Sequence, residues 1–255
     1  MRILASDYDG TLNYGGIDKK KIDAISRWQA QGNLFALVSG RGADDAIRIY
    51  NQQKFPCDYI LACNGAVIMT TDKHSLLEVR CDGAVIKEFC EFLFSLDCPF
   101  ANIETTYTYS GSYRVVPCSP EDGQYIPDNI PETDYFNQIS TMLEDDDAAA
   151  KVCDAINERF GEYFNPLQNG RCIDIVRKDI NKAKGIKMLV QYIQDAYDED
   201  ITLDDVIAVG DNINDYHMIN EFTSYAMENG VDAIKEIATY ITPSVTALIE
   251  KELEK

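Results

Sequence analysis

The chain has 255 residues, 43 of them acidic and 23 basic, for a formal net charge of −20, a field that repels nucleic acid and anionic membrane surfaces and removes both from the expected partners. Its apolar content of 45% is enough for a sizeable core. No apolar run approaches the ~20 residues that cross a bilayer and the first residues do not read as a signal peptide, so the expected location is the cytoplasm.

The first element is the short apolar run Ile3-Leu4-Ala5, which leads directly into Asp7-Tyr8-Asp9-Gly10-Thr11-Leu12. A buried strand in an open α/β sheet delivers its carboxyl-end residues to the crevice where such folds bind ligands, and Gly10 lets the backbone turn out of the sheet. One of the two carboxylates can attack as a covalent nucleophile in phosphoryl transfer while the other handles protons, and the oxygen-rich pair suits Mg²⁺. A surface turn is the plain alternative for such a string, but a turn needs neither the preceding strand nor two acids in fixed alternation.

A helix is expected from Asp18 to Gln31, with Ile22, Ile25 and Trp28 at helical spacing and Gly32 as its stop. The run Leu34 to Val38 reads as a second strand ending at Ser39-Gly40-Arg41, residues 42 to 50 look helical, and Tyr59 to Ala62 is a third strand ending at Asn64-Gly65-Ala66. Alternating buried strands and helices predict an α/β fold with a doubly wound, parallel, Rossmann-like sheet.

The pattern changes between about Asp82 and Val176. Helix-like stretches from Val85 to Phe94 and from Ala148 to Phe160 flank alternating segments, Thr105 to Val116 and Cys172 to Val176, with Asn169-Gly170 as a hairpin turn. This predicts an α+β domain of residues 82–176 inserted into a core formed by 1–81 and 177–255. Glu144 to Asp147 is a solvated, acid-rich helix start. The βα alternation resumes with a helix from Ala183 to about Ala196, a strand from Val206 to Val209 and a helix after Asn214. The eight cysteines form no Cys-x-x-Cys pair and read as small buried hydrophobes, and His74 and His217 alone leave little for a His/Cys zinc site.

The second constellation is Gly210-Asp211-Asn212-Ile213-Asn214-Asp215, where another strand ends at a glycine and presents two acids and two asparagines. Hard oxygen ligands from two strand ends are what Mg²⁺ prefers, whereas an Asx-rich helix cap, centred on Asn214, is the alternative. Ser39 and Lys182 taken singly are a helix cap and a surface charge. Beside the strand-end acids they supply the neutral donor and the cation that a phosphoryl group needs, the more so because the overall field opposes phosphate.

These motifs resemble those of the haloacid dehalogenase superfamily of phosphohydrolases, in its Cof-like branch with a large α/β cap. The first motif is matched at Asp7, Asp9, Gly10, Thr11 and Leu12, the second at Ser39 with Gly40 and Arg41, the third at Lys182, and the last at Gly210, Asp211, Asn214 and Asp215. Asn64-Gly65-Ala66 and Ala226 to Gly230 extend the likeness over nearly the whole chain. Ala183 stands where this branch usually carries glycine, which keeps Lys184 as an alternative to Lys182, although the register of Gly185, Ile186 and Leu189 favours Lys182.

The resemblance implies that Asp7 attacks phosphorus to give an aspartyl-phosphate and that Asp9 protonates the leaving alcohol and then activates water. It implies that Asp7, Asp211 and the backbone carbonyl of Asp9 hold Mg²⁺, that Ser39, Gly40, Lys182 and Asn214 bind the phosphoryl group, and that Gly10, Arg41, Asn64 and Asp215 support the site. Mg²⁺ and Lys182 would lower the proton affinity of Asp7, and Asp9 facing an apolar cap would retain a proton. The expected activity is Mg²⁺-dependent hydrolysis of a small phosphorylated metabolite, a sugar phosphate first. A sugar phosphomutase and a non-catalytic sugar-phosphate sensor are the rivals, the sensor disfavoured by a nucleophile beside a proton donor. Tyr107, Tyr109, Tyr113 and Arg114 are candidates for sugar contacts, set against their plain reading as part of a half-exposed strand. No coiled-coil heptad or apolar stripe predicts an oligomeric state.

Overall fold

The apolar runs at Ile3 and Leu34 have no polar face, so strands built from them must be covered on both sides. The computed structural model describes residues 1–96 and 135–255 and, between them, the backbone of Ala101–Glu104 and Ser112–Val115. The chain begins β1 (Ile3–Asp7), α1 (Lys19–Ala30), β2 (Leu34–Val38), α2 (Ala43–Gln53) and β3 (Tyr59–Ala62). Asp18 caps α1 rather than joining it, its carboxylate accepting from Lys21 N at 2.9 Å.

Two strands that the sequence pattern does not announce follow, β4 (Val67–Met69) and β5 (Ser75–Glu78), both antiparallel to their neighbours. Val67-Ile68-Met69 is apolar throughout and three residues long, so it carries no period.

The insertion contains β6 (Cys81–Asp82), α3 (Ile86–Ser95), β7 (Ala101–Glu104), β8 (Ser112–Val115), β9 (Tyr135–Phe136), β10 (Gln138–Met142), α4 (Asp146–Phe160), β11 (Phe164–Asn169) and β12 (Cys172–Arg177). The expected limits, 81/82 and 176/177, fall inside β6 and β12. The chain ends with α5 (Lys182–Tyr197), β13 (Val206–Gly210), α6 (Tyr216–Glu221), β14 (Thr223–Met227), α7 (Asp232–Lys235), β15 (Tyr240–Thr242) and α8 (Val245–Leu253).

The large sheet has the order β15-β14-β13-β1-β2-β3-β4-β5 and is parallel from β15 to β3. Leu4, Leu37 and Val209 pack with Ile25, Trp28 and Leu248 on one face, and Ile3, Ala5 and Ala208 with Ile186, Leu189 and Met218 on the other. The second sheet, β11-β12-β10-β7-β8, is antiparallel. Ile139, Ile173 and Ile175 on one of its faces bury against α3 and α4 with Phe89, Phe160 and Phe164, the Phe89 and Phe164 rings lying 4.5 Å apart. By the two-residue period of a strand, Gln138, Ser140 and Asp174 occupy the opposite face.

The fold is thus the expected α/β core with an inserted α+β cap. Two details differ. Asn169 pairs with Cys172, so the hairpin turn is Gly170-Arg171 and Asn169 is the last residue of its strand. Cys172 is exposed rather than buried. Tyr107 and Tyr109 lie outside the described residues, and for Tyr113 and Arg114 only their place on β8 is described. Among the described residues no helix is long and apolar enough to cross a membrane.

Candidate active site

β1, β2 and β13 are neighbours in the sheet and end on the same edge, at the point where the chain order reverses across β1. This brings together Asp7, the last residue of β1, Ser39, the residue after β2, and Asp211, the residue after β13. Gly10 turns the chain with φ +81°, and a Cβ there would lie 2.2 Å from Asp211 Oδ2, so neither the conformation nor the space admits a side chain. The next residue, Thr11, donates from Oγ1 to Asp211 Oδ1 at 2.6 Å. Lys21 reaches back from α1 to donate to the carbonyls of Leu12, Gly16 and Tyr14 at 2.5, 2.7 and 3.1 Å, fixing the segment that follows. Asn229, in the loop after β14, donates to the carbonyl of Gly10 at 2.9 Å.

Lys182 opens α5 and is fully buried, its Nζ donating to Asp7 Oδ1 at 2.6 Å and to Asp215 Oδ1 at 2.5 Å. Lys184 is exposed and Ala183 packs into the core, so of the two candidate lysines it is Lys182 that enters the site. Asp215 spends its other oxygen on Asp211 N at 2.9 Å and Asn212 N at 3.2 Å. The capping asparagine is Asn212, not Asn214, and Asn214 lines the cleft instead. Ser39 does not cap α2 either. Gly42 occupies that position, while Ser39 Oγ accepts from Arg41 N at 3.2 Å within the cleft wall.

Ligand atoms of Asp7, Asp211 and Asp215 all lie within 4.8 Å of one another. Burial pushes the Asp7 carboxyl well above its usual range, Lys182 opposing and Asp215 and Asp211 adding to the rise. Burial likewise raises Asp211 to about 6, with Asp215 adding and the Thr11 hydrogen bond opposing. For Lys182, burial would lower the ammonium, but Asp215 and Asp7 outweigh it and hold it above the ordinary lysine value. Lys182 thus pulls against the rise at Asp7 without cancelling it, and the expected lowering rests on Mg²⁺ and Lys182 together. Three close carboxylates face one ammonium, and Asp7 Oδ2 and Asp211 Oδ2 carry no hydrogen bond among the described residues. A small, hard divalent cation fits that donor set.

Asp9 departs from expectation as well. It does not face an apolar surface: Arg41 grips it through Nε at 2.7 Å and a second guanidinium nitrogen at 2.9 Å, and the same guanidinium donates to Asp45 at 3.0 Å. The wall that the cap contributes to the cleft, Ser140, Asn169 and Asp174, is polar, and none of the three is evident as a site residue in the sequence. The available signal for Asp174 is its place as a lone acid between Ile173 and Ile175, both turned into the cap core.

Gly40 and Asn64 form the seam with the cap. Gln138 Nε2 donates to the Gly40 carbonyl at 2.8 Å, Asn64 Nδ2 donates to Gln138 Oε1 at 3.1 Å and Asp174 Oδ2 at 3.0 Å, and Asn212 Nδ2 donates to Asn169 Oδ1 at 2.8 Å. The cleft, open to solvent on one side, has a volume of about 210 Å³.

An acid-tipped parallel sheet with a lysine on the nucleophile candidate and a cap over the cleft defines a phosphohydrolase architecture. The sequence profile of the haloacid dehalogenase-like hydrolases matches residues 4–247. The chain belongs to that family, and within it to the Cof-like phosphatases. It is 29% identical over 245 residues to the 5-amino-6-(5-phospho-D-ribitylamino)uracil phosphatase YcsE of Bacillus subtilis, covering 95% of this chain and 90% of that one. A Mycoplasma pneumoniae protein, provisionally named a phosphatase, is 41% identical over 264 residues, covering 94% and 90%. The solved structure of a haloacid dehalogenase-like hydrolase from Bacillus subtilis superposes with a TM-score of 0.80 at 17% identity, over 98% of this chain and 99% of that one.

Proposed function

We propose that the protein is a Mg²⁺-dependent phosphatase that hydrolyses the phosphomonoester of a small sugar or polyol through an aspartyl-phosphate on Asp7. The observation that carries this reading is the position of Asp7, at a strand end, held by Lys182 at 2.6 Å and sharing one cleft with Asp9. The substrate named for the Bacillus subtilis relative, a phospho-ribityl compound, is of this class.

In the first step a carboxylate oxygen of Asp7 attacks phosphorus and the bond to the leaving oxygen breaks, while Asp9 gives that oxygen a proton. In the second step Asp9 takes a proton from water, the water oxygen attacks phosphorus, and the acyl-phosphate bond to Asp7 breaks to release phosphate. Arg41 engages both carboxylate oxygens of Asp9, so Asp9 must release at least one arm of that fork to carry the proton in either transfer. Ser39 donates a neutral hydrogen bond and Lys182 a charged one to the phosphoryl oxygens, with Asn214 at the cleft wall. Asp7, Asp211 and the Asp9 carbonyl would hold Mg²⁺, with Asp215 buttressing Asp211 and Lys182 from behind; when bound, the ion neutralises charge on the phosphoryl oxygens and favours ionised Asp7.

The test is phosphate release from sugar and polyol phosphates with and without Mg²⁺, wild type against Asp7→Asn. Metal-dependent release that falls at least about a thousandfold in the variant is expected. A sugar bisphosphate without free phosphate would make the protein a mutase, and binding without turnover a sensor.

A further inference from the structure

A cleft that receives a phosphate dianion has no electrostatic use for an unpaired carboxylate in its wall, yet Asp174 is one. Its oxygens accept from Asn64 Nδ2 at 3.0 Å and Ser140 Oγ at 2.8 Å, both neutral donors, and it forms no ion pair among the described residues. The cations near it are committed elsewhere, Arg41 to Asp9 and Asp45 and Lys182 to Asp7 and Asp215. Burial raises the Asp174 carboxyl above its usual range against the pull of those two hydrogen bonds and, more weakly, of Lys182 and Arg41.

The placement is built in on both sides of the seam. A Cβ at residue 40 would lie 2.6 Å from Asp174 Oδ2, so the catalytic loop after β2 carries a glycine where the cap carboxylate comes down. Gln138, which donates to the Gly40 carbonyl, also donates to Ser140 Oγ at 2.9 Å, which fixes that hydroxyl as a donor to Asp174. A carboxylate so held, half-buried and facing the cleft, is compensated only when a ligand brings donors to it.

We propose that Asp174 is a specificity-determining residue that accepts hydrogen bonds from the hydroxyl groups of the leaving alcohol. Resting on the phosphatase reading above, this makes the substrate the phosphomonoester of a neutral polyol or sugar and bars leaving groups that carry a carboxylate. The cleft, at about 210 Å³, is small, which suits a phosphoryl group on a short polyol chain.

The experiment measures kcat/KM with Mg²⁺ for ribitol 5-phosphate, glycerol 3-phosphate, 3-phosphoglycerate and p-nitrophenyl phosphate, for wild type and Asp174→Asn. Wild type is expected to prefer glycerol 3-phosphate over 3-phosphoglycerate at least tenfold. In the variant the ratio of ribitol 5-phosphate to p-nitrophenyl phosphate should fall about 10- to 100-fold, the worth of a hydrogen bond to a charged group, and the bar against 3-phosphoglycerate should relax. Equal loss on every substrate would overturn the proposal by making Asp174 a packing residue of the seam. If the variant fails to fold, the wild-type comparison alone decides, because equal turnover of glycerol 3-phosphate and 3-phosphoglycerate refutes the assignment. No turnover of any of the four substrates by wild type would instead sink the phosphatase reading, and this proposal with it.

Discussion

Lys182→Met isolates the electrostatic centre of the site. Methionine keeps the length of the side chain but leaves Asp7 and Asp215, bonded to Lys182 at 2.6 and 2.5 Å, without a cation in a buried setting. Removing one partner of a buried ion pair costs about 3–5 kcal/mol. For a chain of 255 residues each kcal/mol corresponds to about 2–4 °C in Tm, so the variant should melt about 6–20 °C below wild type at pH 8. The deficit must depend on pH in one direction. Asp7 has a folded-state pKa above its unfolded value, so its protonation favours the folded state, and the missing cation matters less as pH falls through that raised value. Melting followed by circular dichroism at pH 8 and pH 5 should show the gap narrowing, and Lys182→Met combined with Asp215→Asn should lose less than the sum of the single variants. Lys184→Met, on the exposed side of the same helix, should stay within about 2 °C. A Lys182→Met protein that melts with wild type, or whose deficit is the same at both pH values, would refute the reasoning.

Two further outcomes follow from the same geometry. Asp7 and Asp211, both raised by burial and Asp211 to about 6, must lose their protons to bind a metal, so Mg²⁺ affinity should fall at least about tenfold per pH unit below 6; Mg²⁺ titrations of the melting temperature at pH 7.5, 6 and 5 would show a flat response if neither is a ligand. Gly10→Ala places a methyl where Asp211 Oδ2 now lies and strains a φ of +81°, so activity should drop at least about a hundredfold with weakened Mg²⁺ binding, and wild-type Mg²⁺ affinity in this variant would contradict the close approach.

How much of this was legible in the sequence depends on the range of the interaction that decides each feature. Asp7 and Asp211 could be read because an apolar run, an acid and a glycine are adjacent in the chain, and a parallel strand carries its last residue to the ligand edge by geometry alone. The choice between Lys182 and Lys184 was less so: the register of Ile186 and Leu189 on the buried side leaned toward Lys182, but Ala183 in place of glycine kept Lys184 open until the structure placed Lys182 inside. β4 and β5 were not, because their antiparallel turn-back rests on pairing with β3 rather than on any local period. The polar neighbourhood of Asp9 was misjudged for a related reason: Arg41 is 32 residues away, and the cap wall comes from strands more than a hundred residues further on. Strand alternation shows that Asp174 turns away from Ile173 and Ile175, but not that the face it occupies settles over Gly40. That juxtaposition sets the electrostatic problem of the whole site. The net charge of −20 predicted local cations for a phosphate, and the structure supplies Arg41 and Lys182 already engaged by four carboxylates, Asp9, Asp45, Asp7 and Asp215. An incoming phosphoryl group must therefore share Lys182 with Asp7, and the free carboxylate oxygens of Asp7 and Asp211 are where added positive charge relieves the crowding. Metal dependence and discrimination against a second anion are, on this argument, two consequences of the same excess of acid.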